Sequence, residues 1–281
     1  MSSRLNFQNK QEYIEEVWDD GIKDLLPIIV KKTPKILVCD FDSLVYWTLV
    51  EKNEDGSPKE VTEEDLPYLE GKLHEMVLGI FNKIETHFTL EKIYVFIRGD
   101  NNYRKSLYKE YKSNRKEKHP LCNNLYTYLI NTFNAIPVTG YEAEDACATF
   151  AWKLKENCIV AYCDHDLLEI DSAIMYNYQR NKWCIQSEKD ALWEKYKKLN
   201  IGEHGDFANF TPQYGIKKFE EQFHKDMTIE EYEKQTFETY LWCWSDKIKV
   251  KNKIQRTPNV EKATEMFNLA KEILWLKEVE I

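Results

Sequence analysis

Residues 35–42 read Lys-Ile-Leu-Val-Cys-Asp-Phe-Asp, a short apolar, β-prone run that ends in two carboxylates. An apolar run that is continuous rather than alternating marks a strand buried on both faces of a parallel sheet. Two further runs share the pattern. Tyr94-Val-Phe-Ile97 leads into Arg98-Gly-Asp100, and Cys158-Ile-Val-Ala-Tyr-Cys163 leads into Asp164-His-Asp166. Between the first two lies a helical stripe of Leu69, Leu73, Met76, Val77, Ile80, Phe81 and Ile84. Two more helical patterns, around 121–133 and 142–155, precede the third. Strands alternating with helices predict an α/β domain whose central, mainly parallel sheet is flanked by helices.

The acids then acquire a common location. In open parallel sheets, sites form in the crevice beyond the carboxyl ends of the strands, and three consecutive strands aim Asp residues there. Glu142-Ala-Glu144-Asp145, opening the helix before the third strand, adds a fourth segment. Carboxylates without His or Cys companions favour a hard cation such as Mg²⁺ or Mn²⁺, and their mutual repulsion calls for one. Two such ions about 4 Å apart are a standard device for attack on a phosphodiester. The blander reading is that each acid is a turn residue or favours a helix N-terminus. Helical spacing also sets Glu142 and Asp145 on one face and turns Glu144 away from it, unless Glu144 precedes the helix proper. The coincidence over four segments outweighs any single residue.

Composition supports a large globular core: 281 residues, 43% hydrophobic and 14% aromatic, with only 9 Gly and 8 Pro. The longest apolar stretch, Leu44 to Val50, is far short of the roughly 20 residues of a membrane span. The charged N-terminus lacks a signal-peptide core. Seven scattered cysteines without a CxxC pair point to a reducing cytosol, the host's if the chain is viral. The expected organisation is a helical extension at 1–33, an α/β core at 34–190 and a mostly helical region at 191–281. Thr228-Ile-Glu-Glu231 is a capping box opening a helix through Trp242, and Thr257-Pro258 starts a last helix. Residues 51–65 and 201–215 read as exposed loops.

The net charge of −9 argues against a nucleic-acid partner, but its distribution argues for one. Residues 98–118 carry eight Lys+Arg against three acids, with Tyr103, Tyr108 and Tyr111 interleaved. As a helix, this stretch would line up Lys105, Lys109, Lys112 and Lys116 in one stripe and Arg104, Tyr108, Tyr111 and Arg115 in another. Such residues grip phosphates and stack on bases; a solvated helix face is the plainer alternative.

Taken together, these segments resemble the phage and bacterial 5′-3′ exonucleases and flap endonucleases of the PIN-like superfamily. Lys35–Asp42 is similar to the family's first strand, Tyr103–Arg115 to its "FR…YK.NR" arch signature, Tyr141–Ala146 to "EADD" and Cys163–Leu168 to "DKDLL". The resemblance covers 34–178 well and the remainder loosely. It implies a PIN-like domain with a helical arch at 98–120 and two bound Mg²⁺ or Mn²⁺ ions. It also implies metal-site roles for Asp40, Glu142, Glu144, Asp145, Asp164 and Asp166, and for Asp246 through a "GD..DN"-like Trp244-Ser-Asp246. Asp100 matches less directly. Arg104, Lys112 and Arg115 would contact the scissile phosphate, with Tyr103, Lys105, Tyr108, Lys109, Tyr111 and Lys116 lining the strand. The implied activity is metal-dependent cleavage of DNA at a 5′ end, flap or nick, with RNA–DNA hybrids included, by a replication-type phage enzyme acting as a monomer. No protein partner is named by the sequence.

Two departures stand out. Lys249 replaces a second family Asp, and the Gly-rich helix-hairpin-helix is reduced to Ile254–Val260 without glycine. Lys247, Lys249, Lys251 and Lys253 would instead hold a duplex backbone. A nucleic-acid-binding relative with a decayed metal site and a PIN-type ribonuclease are the competing readings.

Overall fold

The computed structural model describes residues 35–280 except 54, 114, 116, 203–209, 251 and 252. Val17–Trp18, 247–250 and 253–255 are described by their backbone alone. The chain divides into two units, one formed by 1–100, 118–186 and 277–281, the other by 101–117 and 187–276. In this division 101–117 groups with 187–276, and 277–281 with the first unit.

The first unit is built on a seven-stranded sheet. Its strands are β1 (Val17–Trp18), β2 (Lys35–Asp40), β5 (Leu90–Arg98), β6 (Ile136–Val138), β7 (Cys158–Tyr162), β8 (Ile174–Asn177) and β9 (Lys182–Ile185). β3 (Glu51–Lys52) and β4 (Pro58–Lys59) form a separate small ribbon in the segment read as a loop. The order is β1-β9-β8-β7-β2-β5-β6, parallel throughout except for β8 against β9. The three strands read from the sequence are thus adjacent, fourth to sixth in that order, with β2 between β7 and β5. Val38 pairs with both Tyr94 and Val160, which aligns the carboxyl ends of β2, β5 and β7. Within the stretch read as a helical extension, Val17–Trp18 is a strand; the rest of 1–33 lies outside the described residues.

One face of the sheet is covered by α1 (Asp42–Thr48), α2 (Leu66–Glu85) and α4 (Cys122–Phe133). The α2 stripe is buried as spaced, except that Phe81 is only partly buried, stacked on Phe41 at 6.0 Å. α5 (Ala143–Leu154) buries Ala143, Ala146, Cys147, Ala148 and Ala151, whose small side chains let its backbone approach the strands closely. Gly99 meets a similar demand, since a Cβ there would lie 2.7 Å from the Val138 carbonyl oxygen.

The second unit consists of α3 (Tyr103–Leu107), α6 (Glu188–Ile201), α7 (Ile216–Gln222), α8 (Ile229–Cys243) and α9 (Val260–Leu274), with strands β10 (Ser245–Val250) and β11 (Lys253–Pro258). Aromatics fill its core: Tyr196 stacks on Tyr232 at 4.8 Å and Phe219 on Phe223 at 4.5 Å. Thr228 caps α8 as expected. α9 starts beyond Pro258, capped by Asn259, whose side chain accepts the Lys262 N–H at 3.0 Å. Phe210, Thr211 and Tyr214, read as loop, are buried in this core.

Candidate metal centre

Neighbouring parallel strands bring their carboxylates to one edge of the sheet. β2 ends in Asp40, 2% exposed, and β7 runs out into Asp164. Asp164 then caps a short 3₁₀ turn, with its Oδ1 accepting the Asp166 N–H at 3.3 Å. α5 contributes Glu142 at its N-cap and Glu144 in its first turn. Among the described residues, Glu144, Asp164 and Asp166 are the group of side chains whose ligand atoms all lie within 4.8 Å of one another.

The electrostatics of this group indicate the kind of ion it suits. Burial holds the Glu144 carboxyl well above the usual range, and Asp164, Asp166, Glu142 and Asp40 push it further. Asp40 is raised in the same way, by burial and by Asp42, Asp164 and Glu142, against a backbone hydrogen bond from Asp42 that lowers it. The adjacent Cys163 thiol is pushed up to about 12 by burial first, then by Asp164 and Asp40, so it does not compete as a thiolate. All-oxygen donors with mutual repulsion fit a hard divalent cation, which would remove the repulsion that burial intensifies.

Asp145 does not belong to this set. Its Oδ2 accepts the Glu142 N–H at 3.0 Å and its Oδ1 the Lys277 N–H at 2.8 Å, with the side chain wholly buried. It therefore closes the capping box of α5 and ties down the C-terminal residues. Helical spacing alone, which sets Glu142 with Asp145 and Glu144 apart, does not anticipate that Glu144 is the one that converges with Asp164 and Asp166. Asp42, not singled out among the site residues, is the strongest charge acting on Asp40, and its Oδ1 accepts the Arg98 N–H at 2.9 Å. Its signal is its place in Asp40-Phe-Asp42. Asp100 is exposed and not in the convergent group, and its carbonyl accepts the Gly140 N–H at 2.8 Å.

No family model matches the chain. A curated 5′-3′ exonuclease of Buchnera aphidicola subsp. Schizaphis graminum (strain Sg) is 25% identical over 167 residues, 52% of this chain and 57% of that protein. The chain thus matches little more than half the length of this curated relative. The T5 D15 protein co-crystallized with metal ions has a similar fold, with a TM-score of 0.54 and 13% identity over 86% of this chain and 89% of that one. The chain is thus similar in sequence to a 5′-3′ exonuclease and in fold to the T5 D15 protein.

The arch roles that the resemblance implies meet a different local structure here. α3 spans five residues and is followed by turns, with a left-handed φ of 54° at Lys112, so the expected helical stripes do not form. Arg104 is 2% exposed: its Nε donates to the Ile273 carbonyl at 2.9 Å and its Nη2 to the Trp275 carbonyl at 3.0 Å. Tyr103 donates to the Glu272 carbonyl at 2.8 Å. These carbonyls lie at the C-terminal end of α9, where orphaned acceptors and the helix dipole favour a cation. Arg104 is thus a clamp rather than a phosphate contact. Tyr111 is buried in the second core, and Tyr108 packs on Phe210 with ring centroids 5.3 Å apart, so neither ring is free to stack on a base. Lys105, Lys109 and Arg115 are exposed and Lys112 is half-buried; Lys116 lies outside the described residues.

Where the family resemblance implied a degenerate helix-hairpin-helix, the chain forms the antiparallel hairpin β10–β11. Lys247-Ile-Lys-Val250 alternates with the period of a strand and has no glycine to turn a helix. Lys247 pairs with Arg256 and Lys249 with Ile254, so these positions share one face, while Lys253 falls on the other with exposed Asp246. Arg256 lies 4.4 Å over the Trp242 ring and donates to the Trp242 carbonyl at 3.1 Å. Lys251 lies outside the described residues.

A pH dependence follows from the raised carboxyls. Asp40 and Glu144 hold protons more tightly folded than unfolded, so the associated stability is complete below their unfolded values and is lost as pH rises through the folded ones. In EDTA, the melting temperature of the first unit should fall as pH rises above the ordinary carboxylate range. Adding Mn²⁺ or Mg²⁺ should raise it more at the higher pH, because binding displaces those protons. Differential scanning fluorimetry across both series checks the sign.

Proposed function

We propose that the chain is a divalent-metal-dependent nuclease that hydrolyses DNA phosphodiesters at or near a 5′ end, flap or nick. The carrying observation is the convergence of Glu144, Asp164 and Asp166 beside buried Asp40, with every donor an oxygen. Asp40, Glu142, Glu144, Asp164 and Asp166 would hold the cations, with Mg²⁺ or Mn²⁺ as the ion and two ions as the number. When bound, they supply Lewis acidity at the phosphoryl oxygens and lower the pKa of the attacking water. The chain's own part is to hold that charge in place. The neighbouring Cys163 thiol stays protonated and inert. Lys112 and Arg115 remain the arch cations for the phosphate; Lys105 and Lys109 would hold the strand, and Lys247 and Lys249 the duplex. RNA–DNA hybrid, a monomeric state and a cytoplasmic setting complete the reading. Among the described residues no helix is long and apolar enough to cross a membrane.

A binding relative without catalysis is favoured by Lys249 and by the replacement of the helix-hairpin-helix. The test is incubation with 5′- and 3′-labelled flap, nicked and hybrid substrates in Mg²⁺, Mn²⁺ or EDTA. Short 5′ products in metal alone support the nuclease. Binding without cleavage in any metal supports the relative, and cleavage of single-stranded RNA alone supports a PIN-type ribonuclease.

A further inference from the structure

The β8–β9 turn is fastened to the carboxylate crevice by three consecutive residues. Buried Tyr178 donates its hydroxyl to the Asp40 carbonyl at 2.8 Å. Gln179 Oε1 accepts from Cys163 Sγ at 3.5 Å, and Arg180 Nη2 donates to His165 Nε2 at 3.1 Å. The turn itself is built for rigidity. Buried Asn177 accepts the Gln179 and Arg180 N–H groups at 3.1 and 2.9 Å. Asn181 takes a left-handed φ of 49° and accepts the Tyr176 hydroxyl at 3.0 Å. Asp40, Cys163 and His165 are, or adjoin, the residues read as metal ligands.

Arg180 is exposed and forms no ion pair among the described residues, although His165, its partner, sits between Asp164 and Asp166. One of its five N–H donors goes to His165, which leaves a permanently charged fork at the crevice edge. A lysine could not reproduce that planar fork on a phosphate.

We propose that Arg180 is a phosphate-binding residue of this crevice, carried there by the rigid β8–β9 turn to take a non-bridging oxygen of the phosphodiester presented for cleavage. This rests on the nuclease reading of the same site. The histidine contact fixes the orientation of the guanidinium, and the turn fixes its depth. Nucleic-acid phosphate is the occupant, since a dication-loaded crevice with an adjoining guanidinium is complementary to an anionic, tetrahedral group.

The experiment compares Arg180→Gln and Arg180→Lys with the unmodified chain on one 5′-labelled nicked or flapped duplex. Single-turnover cleavage at saturating protein with Mn²⁺ is measured together with equilibrium binding in EDTA over a salt series. Arg180→Gln is expected to cleave on the order of 10- to 100-fold more slowly, with Arg180→Lys between. The slope of log K against log salt should fall by about one unit, the decrement that a single neutralised phosphate contributes. Because Arg180 is exposed, the melting temperature should not move. Unchanged rate and slope in Arg180→Gln would overturn the proposal while leaving the nuclease reading intact. If the unmodified chain cleaves nothing in any metal, that reading fails and the salt slope alone decides the role of Arg180.

Discussion

Replacing Asp164 and Asp166 together with Asn is expected to reduce metal-supported cleavage by roughly 10³-fold or more, while the metal-free protein becomes more stable rather than less. The two effects share one cause. Both residues belong to the convergent group, and both push the Glu144 carboxyl upward. Removing two charges would take away the oxygen donors of a hard cation, whose loss costs several kcal/mol of transition-state stabilisation, about 1.4 kcal/mol per tenfold in rate. The same change relieves repulsion at a buried carboxyl. Single-turnover kinetics in Mn²⁺ and a melting curve in EDTA measure the pair. A variant that melts lower in EDTA would mean that these acids support the fold directly, and the opposition between stability and activity would be wrong.

Arg104→Ala should destabilise the second unit by about 3 kcal/mol, without a selective loss of the chemical step. Its guanidinium satisfies the carbonyls of Ile273 and Trp275, and its atoms are almost completely buried. Truncation would orphan acceptors at the end of α9 and open a void beneath Tyr103, whose ring lies 5.0 Å from the guanidinium carbon. Arg104→Lys should recover only part of the loss, since one ammonium cannot replace a fork held between two acceptors. Denaturant unfolding monitored by tryptophan fluorescence reads this, because Trp193, Trp242, Trp244 and Trp275 lie in that unit. Full stability with a collapsed cleavage rate would restore the phosphate-contact role that the arch signature implied.

These residues mark how far local sequence carries. The three apolar runs identify three adjacent strands because burial on both faces leaves no room for polar alternation, and the acids that follow β2 and β7 come to one edge because parallel strands end together. Glu144 and Asp145 are harder to separate. Both lie in the first turn of one helix, and which one turns inward depends on the Lys277 N–H, a partner 132 positions away from Asp145. Arg104 and Tyr111 sit in a stretch whose charge suggests a solvated or nucleic-acid-facing surface, yet long-range packing against α9 and the second core buries them. The hairpin at 245–258 is written locally, in the alternation of Lys with Ile and Val. A family expectation of helices there conflicts with that period-two pattern, and the local pattern prevails. The β8–β9 turn carries no motif at all, and only the antiparallel return of β9 reveals it.

The most direct measurement is a Mn²⁺ titration in which bound ion, followed by electron paramagnetic resonance, and cleavage of a 5′-labelled flap are read on the same samples. Cleavage should be absent in EDTA and rise with bound Mn²⁺, and Asp164→Asn/Asp166→Asn should lose both signals together. Cleavage that persists in EDTA, or a double variant that binds Mn²⁺ and cleaves as the unmodified chain does, would contradict the metal-dependent reading.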